Sequence, residues 1–315
     1  MFIIDFSQLA IASISQFMGE LGSGKTAKEV EDISRHAIIS SLISNKKKYS
    51  QKFGKMLIAC DSRHYWRTDF FPQYKAIRKK NRETSAVDWE IVFGAINKIR
   101  DEISSVFPWK VINVVGAEAD DINGVMVEYL QTHEVSGSGI FDEPQPILMI
   151  SSDTDNLQLF MYENYSQYCP LQKKMLARKS AVDLKKHITE HIVKGDTGDG
   201  IPNIFADDDY FVTREEGDRQ KSVTQGMLDL FYQHGEDSID LLTDKQIKGF
   251  DREFIRKNYR RNSKLVMYNE IPDEVKNDII NQYVNETPSG DLELVRKYFI
   301  HNRCKLLLNE LNNIG

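Results

Sequence analysis

The chain of 315 residues carries 41 Lys and Arg against 47 Asp and Glu, a formal net charge of −6, with 41% hydrophobic and 28% charged residues. That balance excludes a disordered or fibrous chain. No apolar run reaches the roughly 18 residues of a membrane span, and none forms a secretory signal, so a cytoplasmic protein with no membrane partner is expected. Domains cluster near roughly 100 to 150 residues, which predicts two units. The three cysteines, Cys60, Cys169 and Cys304, are far apart and lack CxxC spacing, which argues against a disulfide framework or a zinc site.

The chain opens on FIID at 2–5, a short apolar run of the kind buried on both faces of a parallel sheet. MLIAC at 56–60, VINVV at 111–115 and ILMI at 147–150 have the same character, with helical periodicity over 88–106 and 119–130 between them. Strand and helix in alternation predict the α/β fold class, a doubly wound and mostly parallel sheet, over residues 1–180. Segments 134–146 (EVSGSG, then two prolines) and 206–224 (three aspartates, then further charges) are predicted loops. From about Ala181 no strand is convincing. Apolar residues in 223–231, 253–268 and 292–312 recur at helical spacing, which predicts a smaller helical C-terminal domain over 181–315.

Each of the three clearest strands ends in aspartate: Asp5, Asp61, and Asp153 just past the end. Ligands of open α/β sheets sit at the carboxyl ends of strands. Taken singly, each of these residues reads equally well as a helix cap or turn residue. The segment EADDINGVMVEYL changes the weighing, because its apolar stripe extended back one turn falls on Glu118 and Asp121, with Asp120 beside them. Three acids in four residues repel one another unless a cation intervenes. SSDTDN adds Asp155, and KGDTGDGIP adds Asp196 and Asp199 in a glycine-punctuated turn. Hard oxygen ligands without a Cys or His cluster point to magnesium or manganese. Two such ions, about 4 Å apart, are a general solution for phosphodiester cleavage. A glycosidase needs only two acids.

An acidic net charge argues against a nucleic-acid ligand until it is mapped locally. Between Ser62 and Arg82 stand seven basic residues (Arg63, Arg67, Lys75, Arg78, Lys79, Lys80, Arg82) and one acid, Asp69, interleaved with Tyr65, Trp66, Phe70, Phe71 and Tyr74. Basic groups can track a phosphate backbone while aromatics stack unpaired bases. The plainer alternative is a solvated charged helix with an apolar stripe. A rival motif is GELGSGKT at 19–26, which fits the phosphate-loop pattern and makes a P-loop nucleotide hydrolase the alternative, although LAIASISQFM before it suggests helix as much as strand. His187 and His191, four apart, have a zinc-compatible spacing, but are read as solvent-facing or phosphate-contacting.

The pieces IDFS, CDS, QYKAIRK, EADD, SSDTDN and VKGDTGDGIP, in this order, resemble the flap endonuclease and 5′-3′ exonuclease family. FVTREEGDRQKS brings the chain nearest to the branch of T-even bacteriophage ribonucleases H. Together the pieces cover about residues 2–230. The resemblance implies a PIN-like 5′ nuclease core with a helical arch at about 62–87 and a duplex-binding hairpin, of helix-hairpin-helix type, at about 187–205. It also implies removal of RNA primers and adjacent DNA from lagging-strand 5′ ends during phage DNA replication, in the host cytoplasm.

Carried over by position, Asp5, Asp61, Asp120 and Asp153, with Glu118 nearby, would hold a first Mg2+ or Mn2+. Asp155, Asp196 and Asp199 would hold a second, with Asp121 supporting either. Lys75 and Arg78 match the family's basic pair over the scissile phosphate, with Tyr74 beside them. Arg63, Arg67, Lys79, Arg82, Lys194, Gly195, Thr197, Gly198 and Gly200 would contact nucleic acid. In the family's hairpin, backbone N–H groups face phosphates and carbonyls can hold a monovalent cation. The implied partners are RNA–DNA hybrid, 5′ flap and duplex DNA, and a single-stranded-DNA-binding protein, for a monomeric enzyme. Gly200 stands where the family often has asparagine, and His191 where lysine is common. The short leader of the T-even relatives is missing, so sliding-clamp contact is not expected. A catalytically dead DNA-binding protein is the other alternative, against which the full set of nine acids argues.

Overall fold

A computed structural model of the chain describes residues 1–17, 25–85, 87–133, 135–136, 143–288 and 290–315. In chain order the elements are β1 (Phe2–Asp5), α1 (Phe6–Ile14), α2 (Ala27–Phe53), β2 (Met56–Ala59), α3 (Trp66–Phe70), α4 (Ala76–Glu83), α5 (Trp89–Val106), β3 (Lys110–Ile112), α6 (Ala119–His133), β4 (Val135–Ser136), β5 (Glu143–Pro144), β6 (Ile147–Ile150), β7 (Tyr165–Cys169) and β8 (Lys174–Met175). Helices follow: α7 (Ala181–Lys194), α8 (Tyr210–Thr213), α9 (Gln225–His234), α10 (Ser238–Leu241), α11 (Asp244–Ile247), α12 (Arg252–Val266), α13 (Asp273–Asn285) and α14 (Leu292–His301).

Six strands form one sheet in the order β3-β2-β1-β6-β7-β8. All neighbours run parallel except β8, which turns back against β7. The central strands are apolar and buried except for Asp5 at the end of β1, as expected for a sheet covered on both faces. Helix α2 begins with a reciprocal cap, in which Thr26 and Glu29 bond each other's side chains and backbone, and ends at Gly54 with φ 79°. Strand β7 went unanticipated because Ser166 and Gln167 interrupt the apolar residues of YSQYC; its burial alternates, with Tyr165, Gln167 and Cys169 inside. The short helix α8 lies inside a predicted loop, and the last apolar residues wind as a 3-10 helix over Lys305–Asn313, beyond the end of α14.

The chain separates into two compact units that do not follow a single cut near residue 180: Met1–His64, Ser85–Arg178 and Asp273–Gly315 make one, and Tyr65–Thr84 with Lys179–Pro272 the other. The physical reason lies in the end of the chain. Val295, Phe299, Leu307 and Ile314 are buried in the same core cluster as Phe2, Ile58 and Ile103. Each such side chain contributes on the order of 1.5–3 kcal/mol, so the last helix belongs to the α/β unit. In the second unit, Phe71 and Tyr74 pack with Ile192, Ile201, Leu265 and Val266, which draws the segment after β2 into the helical unit.

Arg35, 1% exposed, ties α2 to α5 and α14 within the first unit. Its guanidinium donates to both oxygens of Glu102, at 2.9 and 3.0 Å, and the Tyr298 hydroxyl donates to the same carboxylate at 2.6 Å. Burial pushes the Glu102 carboxyl up, but the bonds from Arg35 and Tyr298 outweigh it and hold the group below its ordinary value. Glu102→Ala should therefore cost about 1.5–3 kcal/mol at neutral pH, because the buried cation loses its two-oxygen partner and keeps only Asp32 at 2.9 Å and Glu31 at 3.6 Å. Because the folded value is depressed, the stabilisation is complete above the ordinary glutamate value, about pH 4.3, and is lost as pH falls through the folded one. Urea midpoints of the wild type and variant should lie well apart at pH 7 and draw together as pH falls through the folded value.

Candidate active site

Parallel pairing sets β1 between β2 and β6, in the register Asp5 to Ala59 and Ile4 to Ile150. The carboxyl ends of three adjacent strands therefore lie side by side, and Asp5, Asp61 and Asp153 follow from them. All three accept a backbone N–H. Asp5 Oδ1 takes that of Gln8 at 2.9 Å as the N-cap of α1, Asp61 Oδ1 takes that of Ala119 at 2.8 Å, and Asp153 Oδ1 takes that of Asp155 at 2.8 Å. The capping role and the ligand role coexist, because a carboxylate has two oxygens and about four acceptor sites.

Glu118 and Asp121, 3% and 0% exposed, open the buried face of α6. Asp121 Oδ2 accepts the Glu118 N–H at 2.9 Å. Asp120, half-buried beside them, accepts from the Asn156 amide at 3.2 Å and, more weakly, from that of Asn123 at 3.5 Å. The Gln167 amide holds the carbonyls of Ser151 and Asp153 at 3.0 and 2.8 Å. Sequence reading missed these three amides, although Asn156 directly follows Asp155 in SSDTDN and Asn123 lies one helical turn after Asp120.

The charge of this cluster registers on its neighbours. Burial pushes the Cys60 thiol well above its ordinary value and Asp61 and Asp5 push it further, against Arg100. Burial and then Asp120 do the same to the Tyr165 phenol. The buried Oδ1 of Asn123 lacks a hydrogen-bond donor among the described residues. Hard carboxylate oxygens, two acids fully buried and an orphan acceptor beside them fit a hydrated hard divalent cation.

In the second unit the turn after α7 is closed by an antiparallel bridge between Asp196 and Ile201. Gly195, at φ 70°, has room for no side chain: a Cβ would meet the Ile201 carbonyl oxygen at 2.2 Å. Asp196 Oδ1 accepts the N–H groups of Gly198 and Asp199 at 2.6 and 3.1 Å, while Gly200 and Ile201 donate to Thr197 and Asp196 carbonyls. The carbonyls of Gly198 and Asp199 accept from Arg78 and from the Lys75 N–H. The N–H groups of Gly198, Asp199, Gly200 and Ile201 are therefore engaged within the turn, and the carbonyls of Gly198 and Asp199 each carry a donor. Thr197 and Lys194 are exposed, and Lys194 pairs with Glu190 one turn back.

The arch segment corrects the sequence reading in two ways. Arg67 is 3% exposed and donates to the Leu265 carbonyl at 3.0 Å, which removes it from the phosphate-contacting set. Of the aromatics expected to stack bases, Trp66, Phe71 and Tyr74 are buried, so the apolar-stripe reading holds for them; Phe70 is 42% exposed, with the Lys264 ammonium 4.5 Å from its ring. Arg63, in the α/β unit, and Arg82 are exposed; the side chain of Lys79 lies outside the described residues. Asp199, expected at an ion, accepts instead from the Tyr74 hydroxyl at 2.8 Å and from Arg78, with Lys75 Nζ at 3.8 Å.

Residues 19–24 of the phosphate-loop motif lie outside the described residues. Helix α1 and a 3-10 turn over Ser15–Phe17 precede them where a P-loop requires a strand, and Thr26 serves as the N-cap of α2. No described helix is long and apolar enough to cross a membrane.

A parallel sheet that ends in this many carboxylates suits metal-assisted phosphoryl chemistry. The family model for the 5′-3′ exonuclease N-terminal resolvase-like domain matches residues 2–190, and the chain belongs to that family. The model for the T4 RNase H C-terminal region matches residues 183–314. Ribonuclease H of Enterobacteria phage T4 is 30% identical over 98% of this chain and 94% of its own length, which makes the protein a 5′ nuclease of that branch. In fold it is similar to a bacteriophage T5 flap endonuclease solved as a pseudo-enzyme-product complex with DNA and metal ions (TM-score 0.57, 16% identity, 90% of this chain and 99% of that one). It is also similar to the T5 5′-exonuclease with bound zinc (TM-score 0.54, 16% identity, 96% and 98%).

Gly195→Ala should cost about 1–3 kcal/mol from the left-handed backbone alone, and more from the clash with the Ile201 carbonyl. A lower thermal midpoint should accompany weaker binding of duplex DNA in a filter or anisotropy assay.

Proposed function

We propose that the protein is a magnesium- or manganese-dependent 5′ nuclease, with exonuclease and flap-endonuclease modes and ribonuclease H activity on RNA–DNA hybrids. It removes RNA primers and adjacent DNA from lagging-strand 5′ ends during phage DNA replication. The observation that carries this reading is that three adjacent parallel strands end in aspartates, each fixed by a backbone N–H.

Asp5, Asp61, Glu118, Asp120 and Asp153 hold the first ion. Asp155 serves the second, Asp121 shapes the start of α6 beneath Glu118, and Asp196 enters as a ligand on the motif alone. When bound, two divalent ions neutralise phosphate charge and make water a competent nucleophile near neutral pH. Backbone caps and the Asn156 amide hold carboxylates in place, and the Gln167 amide fixes the backbone that carries Asp153, so little reorganisation is needed when an ion enters. Lys75 and Arg78 present cationic donors to the charge that develops on the phosphate, and Tyr74 orients beside them. Arg63, Lys79, Arg82 and Lys194 contact phosphates at a distance from the reacting bond. The substrates are 5′-flapped duplex DNA and RNA–DNA hybrid, taken by a monomer in the host cytoplasm, with a single-stranded-DNA-binding protein as partner. A sliding clamp and a monovalent cation do not enter the proposal.

Incubation with 5′-labelled flap and RNA-primed duplexes should release short 5′ products with magnesium and none with a chelator; equal release in both would refute the reading. Asp153→Asn and Asp120→Asn should each lower cleavage at least 100-fold, in line with loss of a metal-ion contribution of several kcal/mol, while duplex affinity in calcium stays within a few-fold. Wild-type rates in either variant would take that residue out of the site.

A further inference from the structure

Asp61 stands at a strand end that is held by a side chain and not by the ladder. Strand β3 is the edge of the sheet, and its pairing with β2 closes on the bond from the Cys60 N–H to the Ile112 carbonyl at 2.9 Å. Beyond that bond Asn113 takes over: its Nδ2 donates to the Cys60 carbonyl at 3.2 Å and to the Asp61 carbonyl at 2.9 Å. These carbonyls belong to the two peptide groups that flank the Asp61 Cα. A primary amide has two N–H donors, so one side chain holds both. With both peptide planes fixed, φ and ψ of Asp61 are fixed as well, and with them the direction in which its Cα–Cβ bond leaves the strand. The carboxylate is then set by a third bond, from the Ala119 N–H to Oδ1 at 2.8 Å. Asn113 is itself anchored from outside the sheet. Its N–H donates to Oε1 of Gln282 on α13 at 3.0 Å, and Lys110 Nζ donates to the carbonyl of Tyr283 beside it. Val275 of the same helix lies against Gly116, where a Cβ would meet its Cγ2 at 3.7 Å. Asp61, Asn113 and Gln282 all belong to the α/β unit.

We propose that Asn113 is a positioning residue for Asp61, and that Gln282 of α13 holds Asn113 in that role. This inference rests on the nuclease reading above, in which Asp61 serves the first ion, so its test includes measurements that need no cleavage. Asn113 acts on the carboxylate through the backbone. An ion that must first gather a wandering carboxylate binds more weakly than one that meets it already aimed, and removal of such an orienting partner commonly costs about 10–100-fold in metal affinity. Two carbonyls left without donors would destabilise the fold in any case. Metal affinity, and not stability, is therefore the measure of this role. Helix α13 thereby reaches the ion site through two hydrogen-bonded side chains, which gives the return of the chain end to the α/β unit a part in catalysis beyond covering the core.

Asn113→Leu, close in size but without donors, Gln282→Leu and the double variant are compared with wild type, with Asp61→Asn as a lost ligand and with Glu102→Ala as a loss of stability in the Arg35 network. Calorimetric titration with Mn2+ alone should show an affinity about tenfold lower in Asn113→Leu and a smaller loss in Gln282→Leu. The double variant should be little worse than Asn113→Leu, since the two side chains act in series. Glu102→Ala should bind Mn2+ as the wild type does. In the free protein, exchange of the Ala119 amide, whose acceptor is Asp61 Oδ1, should quicken in Asn113→Leu. With substrate, kcat of Asn113→Leu should fall at limiting magnesium and recover at high magnesium with KM for the duplex unchanged, whereas Asp61→Asn should not recover. Wild-type Mn2+ affinity in Asn113→Leu, a loss matched by Glu102→Ala, or unchanged exchange at Ala119 would each overturn the proposal. Should Asn113→Leu fail to fold, wild-type Mn2+ affinity in Gln282→Leu would overturn it by itself. A wild type that binds Mn2+ but cleaves nothing would refute the nuclease reading, and calorimetry would still decide the role of Asn113; a wild type that binds no Mn2+ would sink both.

Discussion

Backbone N–H groups aimed at carboxylates are the interaction on which the catalytic unit depends. Gathering Asp5, Asp61, Glu118, Asp120, Asp121 and Asp153 at one edge of a sheet sets like charges against one another, and burying Glu118 and Asp121 adds desolvation. Capping bonds from Gln8, Ala119, Glu118 and Asp155 offset part of that cost. They also specify the direction of Asp5, Asp61, Asp121 and Asp153 before any ion arrives. A helix cap and a ligand site are thus the same construction here. Parallel pairing supplies the other half of the constraint, because only adjacent strands of one direction bring their carboxyl ends into register.

What was legible in the sequence follows from what leaves a local trace. Apolar runs such as ILMI announce strands buried on both faces, and the acids that follow them announce the carboxyl end of the sheet. Tyr165–Cys169 left no such trace, since its polar Ser166 and Gln167 make it read as a loop. Gln167 is nevertheless a fully buried residue that supports the carbonyl of Asp153. Its role depends on a pairing between β6 and β7 that spacing alone does not reveal. The return of Leu292–His301 to the α/β core was hidden for the same reason: an amphipathic helix shows that it has a partner, but not which partner. Charge counting misled at Arg67, where a basic residue in a basic segment serves a backbone carbonyl in the interior.

The helical unit reverses the usual assignment of loop backbone and side chain. In a glycine-punctuated turn the natural expectation is that main-chain N–H groups face the ligand. Here Asp196 consumes two of those N–H groups, and the turn instead offers its carbonyls and one carboxylate to the arch. The glycines serve geometry: Gly195 lets the chain leave α7 beneath the Ile201 carbonyl, and Gly200 lets it pass close to Gln73. A turn built this way spends several of its N–H groups on its own shape and offers carbonyls to the segment around Lys75 and Arg78.

That distinction bears on how an acidic protein engages a polyanion. Of the seven basic residues between Ser62 and Arg82, Arg67 is buried, and Lys75 and Arg78 converge on Asp199. Cations neutralised by a neighbouring carboxylate add little to long-range attraction, which grows with the number of counterions released from the nucleic acid. Attraction then falls to exposed cations such as Lys80 in this unit and Arg63 in the other, while those held by a carboxylate act at short range, where a phosphate can compete for their donors. Binding and bond breaking thereby depend on different basic residues. Salt should weaken the first more than the second, because short-range hydrogen-bonded contacts are screened far less than exposed charges.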